Sequence, residues 1–298
     1  MIMDNTHAEP VAFKGSREKT IYGTLYWSGK HKSVENVPVT LFLHGFKGFK
    51  DWGAFPQACR YLAYSEQPSV VLSLNFSHNG IDGNGTDFND LEAFSQGTLS
   101  DDLEDIGHVI RQLKERKKKF REELGLSLDG KAISLIGHSR GGHTAITAAA
   151  EYPEVKCVIT WSAVADYKHH VQESMIADWE NDGVTYIPNS RTGQQMPLNS
   201  SFWDDIKGNG NRVRAVKRLE EVYIPACFIH AEEDEAVPLS NMNLLYENCA
   251  STHKVKVSVP NAGHTFGVQH PWNGNTLPEP FMHVLENTDR WLNKILAE

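Results

Sequence analysis

A chain of 298 residues, 40% hydrophobic and 22% charged, can bury a sizeable core without disulfides or a structural metal. Its 38 acidic and 29 basic side chains give a net charge of −9 with histidines neutral, which argues against a nucleic-acid partner, since such binders need surplus Lys and Arg to displace counterions. Cys59, Cys157, Cys227 and Cys249 lack CxxC or secreted-framework spacing and read as core residues; Met1–Pro10 lacks an apolar signal region and no run nears the roughly 18 apolar residues of a membrane span, so a soluble, cytoplasmic protein is expected.

Two alternating runs, around Val11–Phe13 and Thr20–Trp27, predict an antiparallel hairpin at the start of the chain. Apolar strand-like runs then alternate with helical patterns. Val39–Leu43, Ser69–Phe76, Ile133–Ile136, Val158–Trp161, Cys227–His230 and Val255–Val259 are short and continuously apolar, as strands covered on both faces are. Leu99, Leu103, Ile106, Val109, Ile110 and Leu113 recur at helical spacing, with Ser100 as expected N-cap and Lys117–Lys119 expected near the C-terminal end. A last helix is expected from Glu279 to Leu296. The alternation implies an α/β fold, a doubly wound, mostly parallel sheet of eight-stranded type, in a single domain over residues 1–298.

Residues 165–218 interrupt the rhythm, being too long for an ordinary connection between strand and helix. Val184–Ile187 and Gln194–Leu198 flank Asn189-Ser190-Arg191-Thr192-Gly193 and predict a β-hairpin, followed by short helices over Ser201–Ile206 and Arg212–Leu219. The expectation is a small cap over the C-terminal edge of the sheet; a peripheral decoration is the alternative. Trp179, Tyr186, Phe202 and Trp203 are candidate substrate-binding residues, or equally the groups that hold the cap to the body.

The chemistry centres on Gly137-His138-Ser139-Arg140-Gly141, a GxSxG pentapeptide entered by the strand Ala132–Ile136 and left by a helical run, His143–Glu151. That is the setting of a nucleophile elbow: the turn forces Ser139 into strained geometry and lifts its hydroxyl clear of the sheet. A serine hydroxyl needs a base, and the base an orienting carboxylate. Asp234 and His264 follow the strands Cys227–His230 and Val255–Val259, where α/β active sites gather, and complete the order Ser139, Asp234, His264. Asp166 is the alternative acid and His270 the weaker alternative base; Glu232, Glu233 and Glu235 read as solvated loop acids. An oxyanion hole needs two N–H donors. The Arg140 amide is one, and the Phe46 amide, with Lys47 as rival, is the other; His44 reads as a brace of that loop. No spacing among the 14 histidines suggests a metal, and neither a metal nor a cofactor is expected.

The motifs HGFKG, GHSRGG, EEDEAVP and NAGHTF, in this order, resemble the α/β-hydrolase superfamily over nearly the whole chain, and within it bacterial cinnamoyl/feruloyl esterases and acylaminoacyl-peptidase-like or dienelactone-hydrolase-like proteins. The resemblance implies a serine esterase with Ser139 as nucleophile, His264 as base, Asp234 as orienting acid and the Phe46 and Arg140 amides as oxyanion hole. Departures are the altered Asn75–Gly80 segment, Ala231 where a glycine usually precedes the acid motif, and Ser139 where dienelactone hydrolases carry cysteine. The expected partner is a small-molecule ester with a short or medium acyl or an aryl group, cinnamoyl and feruloyl types included. A peptidase or amidase acting on short or acylated peptides and a non-catalytic binding protein of the same fold are the alternatives. No residue pattern specifies an oligomeric state.

Overall fold

The computed structural model describes residues 5–67 and 69–297, so the first four residues of the Met1–Pro10 segment lie outside the described residues. The strands are β1 (Thr6–Lys14), β2 (Thr20–Ser28), β3 (Val37–Leu43), β4 (Val70–Leu74), β5 (Leu128–His138), β6 (Val155–Trp161), β7 (Val184–Pro188), β8 (Gln195–Asn199), β9 (Ala226–Ala231) and β10 (Lys254–Val259). The helices are α1 (Phe55–Ala63), α2 (Leu91–Gln96), α3 (Leu99–Glu115), α4 (Lys117–Leu124), α5 (Arg140–Glu151), α6 (Tyr167–His170), α7 (Glu173–Asp182), α8 (Ser201–Gly208), α9 (Ala215–Arg218), α10 (Ser240–Asn248) and α11 (Glu279–Leu296).

Eight strands form one sheet in the order β1-β2-β4-β3-β5-β6-β9-β10. From β4 to β10 every neighbouring pair is parallel, and the antiparallel pairing of β1 with β2 and of β2 with β4 closes one side. Strand periodicity sends alternate residues to opposite faces. Val39, Leu41, Leu43, Leu135, Val158 and Phe228 join one apolar cluster with α3 and α5. Phe42, Ile136, Ile159, Trp161 and Ile229 join a second with α1 and α11. The sheet is therefore covered on both sides, which is why its strands read as continuous apolar runs. Trp161 Nε1 donates to Thr288 Oγ1 at 3.0 Å, fixing α11 to the sheet in a fully buried contact.

Two helix boundaries differ from the sequence expectation. Thr98, not Ser100, is the N-cap of α3: its hydroxyl accepts from Asp101 N at 3.1 Å while Asp101 Oδ2 accepts from Thr98 N at 3.0 Å. A capping box satisfies two free helix-end donors at once, so it sets the start two residues earlier. Ser100 instead bonds Asp205 of α8 through both its amide and its hydroxyl, at 3.0 and 2.5 Å. The Lys117–Lys119 cluster does not end α3 but opens the separate helix α4, where Lys118 and Lys119 face Glu122 and Glu123 one turn on.

Between β6 and β9 the chain forms α6 to α9 and a two-stranded antiparallel sheet, β7 with β8. These elements share a small core of Val164, Tyr167, Trp179, Leu198, Phe202 and Ile206, seated on Leu99 and Val237 of the main body. The helices α6 and α7 were not visible as helical patterns because one is a single turn and the other buries only Trp179.

Among the described residues no helix is long and apolar enough to cross a membrane. Thr288→Val, which keeps side-chain volume but strands the buried indole N–H, is expected to destabilise the fold by about 1–3 kcal/mol. Urea denaturation checks this; an unchanged midpoint would mean the Trp161 contact contributes nothing.

Candidate active site

The site begins with the turn between β5 and α5. Ser139 sits there with φ 56° and ψ −117°, a left-handed conformation that a residue with a side chain adopts only under constraint. The constraint is close approach. A side-chain carbon on Gly137 would lie 2.1 Å from the Gly141 carbonyl oxygen, and one on Gly141 would lie 2.3 Å from that of Leu43. Only hydrogen fits at either place. The helix begins at Arg140, directly after the serine, rather than at His143, so the Arg140 amide is among the first-turn N–H groups that no intrahelical carbonyl satisfies.

Asp234 and His264 meet at the C-terminal ends of β9 and β10. His264 Nδ1 lies 2.8 Å from Asp234 Oδ2 and 3.1 Å from Oδ1. An ionised carboxylate only accepts, so Nδ1–H donates, and in the neutral ring Nε2 is left as the basic atom. Asp234 also accepts from the amides of Ala236 and Val237, at 3.0 and 2.8 Å. Burial alone would raise its pKa, but hydrogen bonds from His264, Val237 and Ser162 and the nearby imidazole hold it below the ordinary carboxylate value. The other candidates are occupied elsewhere. Asp166 pairs with Arg214 at 2.5 Å and caps α6; His270 accepts from Gly53 N at 2.9 Å; Glu232, Glu233 and Glu235 are exposed.

His264 is held from behind by His138, whose Nε2–H donates to the His264 carbonyl at 2.9 Å and whose ring lies 4.8 Å from the His264 ring. Burial, and then the neighbouring His264, push the His138 pKa down to about 3, so this imidazole is neutral. The loop after β3 closes the other side. A side-chain carbon on Gly45 would stand 3.0 Å from Ser139 Cβ, which puts the Gly45 backbone against Ser139. His44 braces that loop: Nδ1–H donates to the Gly45 carbonyl at 2.8 Å and Nε2 accepts from Phe76 N at 3.2 Å. Burial lowers its pKa to about 4, which keeps this tautomer neutral.

Ser139 and His264 line one cavity of about 370 Å³, together with Gly45, Phe46, Lys47, Trp52, Phe55 and the turn Asn189-Ser190-Arg191. No hydrogen bond joins Ser139 Oγ to His264 among the described residues; unliganded sites often tighten that contact only with substrate. The four aromatic residues expected to bind substrate do not line this cavity. Trp179 is buried, donates from Nε1 to the Leu198 carbonyl at 2.7 Å and stacks on Trp203; Phe202 is buried beneath the Arg140 guanidinium; Tyr186 points to solvent, 59% exposed. An insertion this small needs its aromatic side chains for its own core, and what reaches the cavity is its turn. Trp52 and Phe55, just past the HGFKG motif, supply the apolar wall instead. Neither they nor the turn carry a periodic signal that a sequence reading could use. Among the described residues no group of three His, Cys, Asp or Glu is placed to hold a metal ion.

The chain matches no family model. The human serine hydrolase BPHL is 26% identical over 182 residues, which is 56% of this chain and 60% of that protein, so the alignment spans less than two thirds of the relative's length. The esterase domain from a Rhodothermus marinus protein superposes with a TM-score of 0.65 at 20% identity, covering 97% of this chain and 98% of that one. Est1E from Butyrivibrio proteoclasticus, solved with ferulic acid bound, superposes with a TM-score of 0.70 at 18% identity, covering 97% of this chain and all, 100%, of that one. At these identities the two structures establish a shared fold.

The His138 assignment carries a pH signature. Its folded pKa of about 3 lies below the ordinary 6.5, so between those values the unfolded chain binds a proton that the folded protein does not, and stability falls as pH falls. His138→Gln removes that contribution. The slope of unfolding free energy against pH in this window should become shallower by up to about 1.4 kcal/mol per pH unit. Denaturant titrations at several pH values read it, and an identical slope would mean that His138 is protonated in the fold.

Proposed function

From the α/β-hydrolase fold of this chain, we propose that it is a serine hydrolase of carboxylic esters acting through Ser139, His264 and Asp234. The observation that carries the reading is the His264–Asp234 hydrogen bond at 2.8 Å, on the same cavity as a serine strained to φ 56°. A buried carboxylate on one imidazole nitrogen orients the other as a base.

In this mechanism His264 Nε2 removes the Ser139 hydroxyl proton as Oγ attacks the ester carbonyl. The Arg140 and Phe46 amides hold the resulting oxyanion, donors fixed before the charge develops. Collapse breaks the bond to the alcohol oxygen, which leaves with the proton from His264. Water then enters, loses a proton to His264 and attacks the acyl-enzyme; the carboxylic acid departs and Ser139 regains its proton. Asp234 stays ionised and stabilises the transient imidazolium. Residues 165–218 act as a small cap, its turn closing one side of the cavity. A substrate of matching size is a short or medium acyl or an aryl ester, seated against Trp52 and Phe55.

With 4-nitrophenyl acetate and butyrate, a burst and steady turnover are expected that Ser139→Ala abolishes, a loss of at least about 10³-fold. Equal activity of the two proteins would remove Ser139 from the mechanism. Matched 4-nitroanilides should react far more slowly; comparable anilide rates would make the protein an amidase.

A further inference from the structure

The cavity around Ser139 has a charge character opposite to that of the molecule. The chain carries 38 acidic residues against 29 basic ones, yet no Asp or Glu lines this cavity. Two basic side chains do: Lys47, from the loop after β3, and Arg191, from the β7–β8 turn. They reach it from opposite parts of the chain, one on the main body and one on the insertion.

Neither cation has a carboxylate partner among the described residues. Lys47 Nζ donates to the Pro188 carbonyl at 2.9 Å, and burial draws its pKa below the ordinary lysine value with no acid to offset it. Arg191 Nη2 donates to the Thr86 carbonyl at 3.0 Å, and the guanidinium is held 5.4 and 5.6 Å from the Phe49 and Phe88 ring centroids. These contacts fix both side chains in place without neutralising them. Neutral donors would pin the same carbonyls without the desolvation cost of a charge. Asn189 lines the same cavity. Asn189, 7% exposed, uses its side-chain oxygen to accept from Arg191 N at 3.2 Å, while its buried Nδ2 has no hydrogen-bond partner. Lys47, Arg191 and Asn189 line the same cavity, and a wall with two basic side chains and no acid suits an anion, for which a guanidinium fork is matched to a carboxylate. Trp52, Phe55 and Val268 give the cavity an apolar wall beside the polar His138, Thr265, Gln269 and His270.

We propose that Lys47, Arg191 and Asn189 form an anion subsite that selects esters carrying a free carboxylate, a specificity that rests on the serine esterase reading above. The carboxylate is bound and not transformed; the reaction remains water addition across the ester bond.

Two matched pairs test the subsite and locate the charge. Mono-4-nitrophenyl glutarate against its methyl ester places the carboxylate on the acyl side; 4-acetoxybenzoate against methyl 4-acetoxybenzoate places it on the alcohol side. In one pair the anionic ester should have the higher kcat/KM by about tenfold to a hundredfold, the span of one charged hydrogen bond. Arg191→Gln and, separately, Lys47→Gln should each cut that anionic-to-neutral ratio about tenfold, and added salt should lower it. A loosened cap would slow both members of a pair and leave the ratio intact. Ratios at or below one in both pairs, or ratios that neither substitution changes, would overturn the proposal. Calorimetric binding of the same esters to Ser139→Ala separates this from the failure of the hydrolase reading. If the wild type turns over no ester, tighter binding of the anionic member that is lost with Arg191→Gln still upholds the subsite, and equal or absent binding refutes it.

Discussion

Everything at the site depends on how closely three pieces of backbone approach one another below Ser139. Gly137 and Gly141 face each other across the elbow with no room for a side-chain carbon, Gly141 lies against the Leu43 carbonyl, and Gly142 packs against Ala163. One approach sets the pitch of the turn, the second brings α5 onto β3, and the third brings it onto the end of β6. The positive φ of Ser139 is the consequence of these contacts, not a separate feature. The same contacts put the first amide of α5 and the Gly45–Phe46 loop on either side of the serine.

Above that junction the order is polar and buried. Arg140, next to Ser139, donates to Asp102 at 2.6 Å and to the Thr98 carbonyl at 2.9 Å, and its guanidinium lies near the rings of Phe46 and Phe202. One side chain thus joins the elbow, the start of α3, the Gly45–Phe46 loop and the insertion. Burial raises the Asp102 pKa to about 6 against the pull of Arg140. Breaking such a pair leaves an uncompensated buried charge, so its members fix geometry more than they add stability. His143, on the next turn of α5, faces the Val164 and Val213 carbonyls at 3.1 and 2.7 Å and ties the insertion to the same helix.

Much of this was legible in the sequence, and the part that was not has a physical reason. The central strands could be read because both faces are covered, which leaves continuous apolar runs such as Leu41–Leu43 and Val158–Trp161. The elbow could be read because steric exclusion demands glycine, and Asp234 and His264 because loops past strand ends lack other demands for those residue types. Helix starts were less legible: Thr98 and Ser100 are both acceptable caps, and only the reciprocal bond to Asp101 separates them. The cavity walls were least legible. Trp179 and Phe202 have the composition of a binding surface, but an aromatic residue in a small insertion meets its largest driving force in that insertion's own core. Arg191 sits in a five-residue turn whose composition reports only the turn.

The cation-lined cavity also says where selectivity for an anion would have to arise. A net charge of −9 repels an anionic ester at long range, although at about 0.1 M salt that field is screened beyond roughly 10 Å. The encounter is therefore not steered. Inside a cavity with low-dielectric walls, screening is weaker and the fixed ammonium and guanidinium act at short range. Selection would operate on the bound complex, through residence and alignment over Ser139, and not through the rate of arrival. Because Lys47 follows Phe46 directly and donates to Pro188 beside the turn that carries Arg191, a substrate anion bridging the two would also draw the insertion onto the Gly45–Phe46 loop. Recognition of the distant charge and organisation of the oxyanion donors would then be one event, in which binding energy far from the scissile bond is spent on alignment at it.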